Sequence, residues 1–117
     1  MVRSDFAWVV FDVQLNENNQ QHTESFNIEG NPLDRGNAYL LIQAFDVEYD
    51  LHRIFINGQA LPSFDLPKQS KKGIYTTWMD RVPQSFLQSG ANKITIKRED
   101  NDDFYVANVM VQWREED

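Results

Sequence analysis

The residues with functional chemistry fall into two short acidic stretches and a few aromatic rings. In the first stretch Asp46, Glu48 and Asp50 alternate, with Tyr49 among them and His52 just beyond. The second is Asp100, Asn101, Asp102 and Asp103. Side chains at alternate positions of extended chain share one side, and oxygens gathered there could hold a hard cation such as calcium. Asp100, Asp102 and Asp103 are the carboxylates calcium would take. The stretch does not follow the twelve-residue calcium loop: counted from Asp100, the sixth position is Tyr105 rather than Gly and the twelfth is Val111 rather than Glu. Turns of this composition are usually just solvated, so no cofactor is expected and calcium is the exception worth testing.

Sugar-binding proteins stack aromatic rings on the apolar faces of pyranoses and bond hydroxyls with nearby polar groups. Trp8, Tyr49, Tyr75 and Trp78 are the candidate rings, and Asp46, Glu48, Asp50 and His52 the candidate polar partners. Trp78 lies between Thr77 and Met79 in a strand-like run and reads as core before it reads as a platform. Trp8 shares the even positions of an early strand with Phe6 and Val10. Left uncovered, those three would form an apolar patch suited to a partner or to self-association.

Catalysis finds little support. His22 sits in a polar stretch and His52 at a strand start, and there is no G-x-S-x-G elbow. A glycosidase would need two carboxylates about 5–10 Å apart in a cleft, which an acidic sequence alone does not establish. Phosphate loops and dinucleotide fingerprints are absent. No enzyme is expected.

Composition sets further bounds. The chain has 117 residues, a length that fits a single domain over 1–117. The formal net charge of −7 disfavours nucleic acid, whose phosphates call for clustered Lys and Arg. Cysteine is absent, which excludes disulfides and thiolate metal sites. No apolar run approaches the roughly 20 residues of a membrane helix, and Ser4, Asp5 and Asp12 interrupt any export signal. The chain is expected to be soluble and without membrane contact, its setting cytoplasmic or unknown.

The elements that must position these residues read as strands. In Phe6 to Leu15 the odd positions Ala7, Val9, Phe11, Val13 and Leu15 are all apolar, a period of two with one buried face. Asn16 to His22 reads as a loop and Ser25 to Ile28 as a short strand. Ala38 to Val47 is apolar at nearly every position, which predicts a central strand covered on both sides. Arg53 to Asn57 ends in Asn57-Gly58, the pair that admits positive φ at both central residues of a type I′ hairpin. Ile74 to Met79 is a further strand, and Val82 to Gly90 reads as a helical turn that Gly90 stops. Lys93 to Lys97 turns Ile94 and Ile96 inward. Phe104 to Trp113 places Tyr105, Ala107, Val109, Val111 and Trp113 on one face, and Arg114 to Asp117 reads as a solvated tail. Lys68, Lys71 and Lys72 make a basic loop that could meet that acidic tail in an assembly. About seven or eight strands with at most one helical turn predict an all-β antiparallel sandwich.

Three segments resemble the galactose-binding-domain-like family of jelly-roll sandwiches, found in carbohydrate-binding modules and discoidin-type domains. They are Ile54-Phe55-Ile56-Asn57-Gly58, the run from Phe86 through Gly90-Ala91-Asn92 to Ile96, and Asp103 to Val109. The resemblance spans residues 38 to 113 and implies a jelly-roll fold with non-catalytic binding at loops on one end. It transfers no binding motif, and the structural calcium of many members has no recognisable ligand pattern here. The expectation is a non-catalytic binding module, with carbohydrate the first ligand class and a protein partner the second. The alternative is an assembly protein that uses the sandwich for subunit contacts, homo-oligomer included.

Overall fold

Period-two segments separated by Gly, Asn and Asp turns fold as two stacked antiparallel sheets. The computed structural model describes residues 2–49, 52–62, 66–69, 73–99 and 101–116. Asp50, Lys71, Lys72, Asp100 and Asp117, named above, lie outside the described residues, as does the side chain of Phe11. The strands are β1 (Val2–Leu15), β2 (Gln21–Ile28), β3 (Asn31–Pro32), β4 (Asn37–Phe45), β5 (Arg53–Ile56), β6 (Gln59–Ala60), β7 (Tyr75–Pro83), β8 (Gly90–Lys97) and β9 (Phe104–Glu116). One sheet runs β1-β9-β4-β7, with β3 added alongside β9, and the other runs β2-β8-β5-β6. This is the β-sandwich predicted above. The strand missing from that reading, β3, is two residues long, too short to carry a period, whereas β6 at Gln59–Ala60 is the return that the Asn57-Gly58 hairpin calls for.

The core lies between the sheets. Ile54, Ile56, Ile94 and Ile96 from one sheet meet Leu40, Ile42, Val109 and Val111 from the other, all fully buried. Phe26 and Trp113 pack across the gap with ring centroids 6.2 Å apart. Ile94 and Ile96 face inward as predicted, flanked by exposed Lys93 and Lys97. The Asn57-Gly58 hairpin is also as predicted: φ is 52° at Asn57 and 80° at Gly58, and Ile56 pairs with Gln59 across the turn.

The expectations for β1 and β9 fail for one physical reason, the interruption of strict alternation. A bulge between Trp8 and Val10 gives β1 an extra residue against β9, so Val9 and Val10 are both buried. Val10 therefore leaves the patch expected with Phe6 and Trp8. In β9 the register against β4 shifts between Asn108 and Val106. Phe104 and Val106 thus point inward with Val109, Val111 and Trp113, while Tyr105 turns outward. Strand β4 is interior as expected, with β9 on one side and β7 on the other, but only one face is covered. Leu40 and Ile42 are fully buried, whereas Tyr39 is exposed and Leu41 half-buried.

Other corrections concern ends. His22 belongs to β2, because the turn closes earlier, where Asn16 and Asn19 exchange backbone hydrogen bonds of 3.1 Å. The helical turn is a 3-10 turn at Gln84–Phe86 and finishes at extended Leu87. Gly90 does adopt positive φ, 84°, but as the first residue of β8. The acidic tail is not solvated through its length: β9 continues to Glu116, and Glu115 is buried, accepting hydrogen bonds from Arg3 Nε and Trp113 Nε1, each 3.0 Å. No helix among the described residues is long and apolar enough to cross a membrane.

Candidate functional site

The two acidic stretches flagged by the sequence meet at one end of the sandwich. Asp102, fully buried, is the centre. Its Oδ2 accepts the backbone amides of Glu48 and Tyr49 at 2.9 and 3.1 Å and the Nε2–H of His52 at 2.7 Å. His52 Nδ1 accepts the amide of Glu99 at 3.0 Å. Nδ1 therefore carries no proton and Nε2 carries the one it donates. The imidazole is itself fully buried and lies 4.2 Å, centroid to centroid, from the Phe104 ring. Arg98 Nε donates to the backbone oxygen of Asp102, and its guanidinium reaches Asp103 Oδ1 at 3.1 Å. A buried polar group costs stability unless it is bonded, and this cluster answers most of that demand internally. Asp102 Oδ1 is buried with no hydrogen-bond partner among the described residues.

These contacts give His52 and Asp102 the role of a latch between the β4–β5 and β8–β9 connections. A ligand could reach either side chain only if the latch opened. Asp103 remains exposed but already faces the Arg98 cation. Asp46 adopts positive φ, 66°, and its Oδ1 accepts the Gly73 amide at 3.3 Å. Gln69 closes the same loop from inside, its side chain bonding Val47 N and Ala44 O at 2.8 and 3.0 Å. Gln69 was not singled out in the sequence, and a lone Gln in a loop carries no signal. Tyr49 is 41% exposed and Glu48 half-buried. Among the described residues no group of three or more acidic or histidine side chains is placed to hold a metal ion.

Of the candidate rings, Trp78 and Tyr75 part company. Trp78 lies opposite fully buried Ile42 and so turns to the inner side, yet it is not part of the buried core that its sequence reading expected. At the sheet edge it stays 38% exposed, beside Leu66 and Pro67. Tyr75 faces outward, 55% exposed, with its ring centroid 4.8 Å from that of Phe45.

Tyr75 belongs to a surface that sequence reading found only in fragments, the outer face of the β1-β9-β4-β7 sheet. Residues directly opposite in antiparallel strands share a face, so the register defines rows across it. One row is Gln14, Tyr105, Phe45 and Tyr75. The next holds Asn108, Gln43 and Thr77, with Asn108 Nδ2 donating to Gln43 Oε1 at 3.1 Å. Then come Trp8, Met110, Leu41 and Met79, followed by Phe6, Gln112, Tyr39 and Arg81, with Ser4 opposite Arg114 and Val2 opposite Glu116 beyond them. Beyond Tyr39 a cleft of about 120 Å³ opens among Ser4, Asn37, Gln112 and Arg114. At the other end, the Tyr105 hydroxyl donates to Asp12 Oδ1 at 2.5 Å. That hydrogen bond, with some desolvation, pushes the phenol from its usual 10.0 up to about 12. A row of rings on three adjacent strands, edged by a carboxylate and followed by a row of amides, can stack on flat apolar surfaces and bond hydroxyls at once.

The sequence matches a family of unknown function, DUF7383, over residues 5–115, and the chain belongs to that family. No curated protein matches it. Among solved structures, the fold is similar to part of a β-porphyranase of glycoside hydrolase family 86 from the human gut bacterium Bacteroides plebeius, with a TM-score of 0.72 and 16% identity over 97% of this chain and 21% of that one. It is similar in the same way to part of a second family 86 protein, a variant in complex with neoagarooctaose, with a TM-score of 0.71 and 16% identity over 97% of this chain and 19% of that one. A third likeness is to an exo-β-1,3-galactanase from Phanerochaete chrysosporium with β-1,3-galactotriose, at a TM-score of 0.53 and 14% identity over 92% of this chain and 28% of that one. At these identities the likeness is one of fold alone. The chain spans between about a fifth and just over a quarter of the solved structures it matches.

Proposed function

We propose that the protein is a non-catalytic carbohydrate-binding module whose site is the row Tyr105, Phe45 and Tyr75 on the open sheet face. The observation that carries this reading is the register that sets three rings side by side on β9, β4 and β7, with Asp12, Gln43 and Asn108 at their border. Pyranose rings present C–H faces that stack on aromatic carbon, while their hydroxyls need donors and acceptors at the rim. Strands stand about 4.8 Å apart, so adjacent rings form a continuous platform. The similarity to parts of enzymes named for porphyran and galactan supports the ligand class, as does the resemblance to galactose-binding-domain-like sandwiches. Both are arguments from fold. The non-catalytic reading is supported by the burial of the His52–Asp102 pair away from any substrate; the other histidine–carboxylate pair among the described residues, His22 with Glu24 at 2.9 Å, stands on β2 outside the ring platform.

Affinity gel electrophoresis against a panel of neutral, uronic and sulfated polysaccharides tests this reading. Retardation by at least one polysaccharide is expected, and Tyr75→Ala should weaken it about tenfold, the order of one lost stacking contact. Its melting temperature should barely move, because the ring is more than half exposed. A panel without any retardation, at millimolar sugar units, would overturn the carbohydrate reading.

A further inference from the structure

We infer that a second copy of this chain docks on the Trp8, Met110, Leu41 and Met79 row, pairing two sandwiches outer face to outer face. The inference is independent of the carbohydrate reading. Eight large hydrophobic residues are exposed among the described residues, and six of them, Val2, Phe6, Trp8, Tyr39, Tyr75 and Met79, lie on this one face. Exposed apolar residues scattered singly need no explanation, but a contiguous patch marks a contact surface.

Charge selects the occupant. A quarter of the chain is charged, 25%, with a net charge of −7. In the rows running from Phe6 to Arg81, from Trp8 to Met79 and from Asn108 to Thr77, the only charged side chain among the described ones is Arg81, at the edge; exposed Arg114 and Glu116 stand on the same face beyond them, opposite Ser4 and Val2. A strongly acidic or basic partner would find little to pair with at the centre of this face. A second copy brings an equally uncharged centre, so no like charges meet there. Met79 and Met110 are the flexible kind of side chain that adapts to its own copy, and two sheet faces stack readily about 10 Å apart.

Area sets the strength. Four strands about 4.8 Å apart, over the seven residues from Asn37 to Gln43 at about 3.3 Å each, cover about 440 Å². Two copies would bury on the order of 900 Å², below the usual range for stable complexes and suited to a weak, concentration-dependent dimer. The Tyr105, Phe45 and Tyr75 row lies four residues along β4 from Leu41, about 13 Å away, so an offset pair leaves it open.

Sedimentation equilibrium of the full chain from micromolar to millimolar concentration tests the inference. The weight-average mass should climb from one copy towards two. Added salt should favour the dimer, because it screens the repulsion between two acidic molecules without weakening an apolar contact. Met79→Lys and Trp8→Lys should each return the protein to monomer at concentrations where the parent associates, with cooperative melting retained as the check on folding. A monomer at every concentration and salt would overturn the inference. So would a dimer that persists in both folded variants, since its interface would lie elsewhere. Loss of polysaccharide retardation in these variants of a monomeric parent would likewise overturn it and assign the row to the glycan.

Discussion

The side-chain amide of Asn57 donates to Oδ1 of Asn92 at 2.8 Å, joining two turns that lie 35 residues apart in sequence. Asn57 also donates to Phe86 O and accepts the Lys93 amide, both at 2.8 Å. Asn92 accepts the Gln88 amide at 3.0 Å and donates to Gln88 O at 2.8 Å. The hairpin after β5 and the entry to β8 are therefore one hydrogen-bonded corner. Asn92 is fully buried, so Asn92→Leu strands the partners it leaves behind. The expected loss is about 3 kcal/mol, read in urea as a lower midpoint at unchanged slope. Asn57→Gly keeps the positive φ the turn needs and should lose less. Equal losses for the two variants would count against this division of roles.

The latch at the loop end should be as sensitive. Asp102→Ala removes the acceptor for the Glu48 and Tyr49 amides and for His52 at once. A loss of about 3 kcal/mol is expected from stranded buried donors. Hydrogen exchange supplies the specific signature: the Glu48 and Tyr49 amides should lose protection while Ile94 and Ile96 in the core keep theirs relative to global stability. Unchanged exchange at those two amides would rule out the latch.

Gly30 is held to glycine by contact rather than by backbone angle. A Cβ there would collide with the Glu115 carboxylate, and Glu115 is buried against Arg3 and Trp113. Gly30→Ala must push the carboxylate out of that arrangement. A cost of about 1–3 kcal/mol is expected, with a change in Trp113 fluorescence as its indole loses the Glu115 acceptor. Gly30→Ala should be tolerated better when combined with Glu115→Ala, a coupling measurable in a double-mutant cycle.

Tyr105 gives a pH dependence with a definite sign. Its phenol is raised from 10.0 to about 12 by the hydrogen bond to Asp12. The folded state holds this proton more tightly than the unfolded chain does. Its contribution to stability is therefore complete below about pH 10 and is lost as pH rises through about 12. Ultraviolet titration of the parent against Tyr105→Phe should isolate a phenol ionising near the upper figure, and Asp12→Asn should bring it back towards ordinary tyrosine. A Tyr105 that titrates alike with and without Asp12 would remove the hydrogen bond as the cause.

How much was legible in the sequence depended on whether the signal was local. Alternation in Lys93 to Lys97 placed Ile94 and Ile96 correctly because the strand is unbroken. Alternation in β1 misplaced Val10, because a bulge adds a residue on one strand only and is defined by the partner strand. Leu41 and Tyr39 were read as covered because apolar residues on both faces usually are. Nothing local distinguishes a second buried face from an exposed apolar one. Glu48, Tyr49 and His52 belong to one acidic stretch and Asp102 to another, and their junction through one carboxylate oxygen is not legible from spacing.

What the sequence determined by itself is the set of strands, the Asn57-Gly58 reversal and the all-β class, since period two and positive-φ turn residues are properties of neighbouring residues. Only the tertiary structure decided what those strands expose. Whether two rings form a platform depends on which strands lie side by side and in what register. Phe45 meets Tyr75 and Tyr105 across strand pairs separated by roughly 30 and 60 residues, respectively. The same long-range pairing sealed His52 inside and gathered Trp8, Met110, Leu41 and Met79 into one open row.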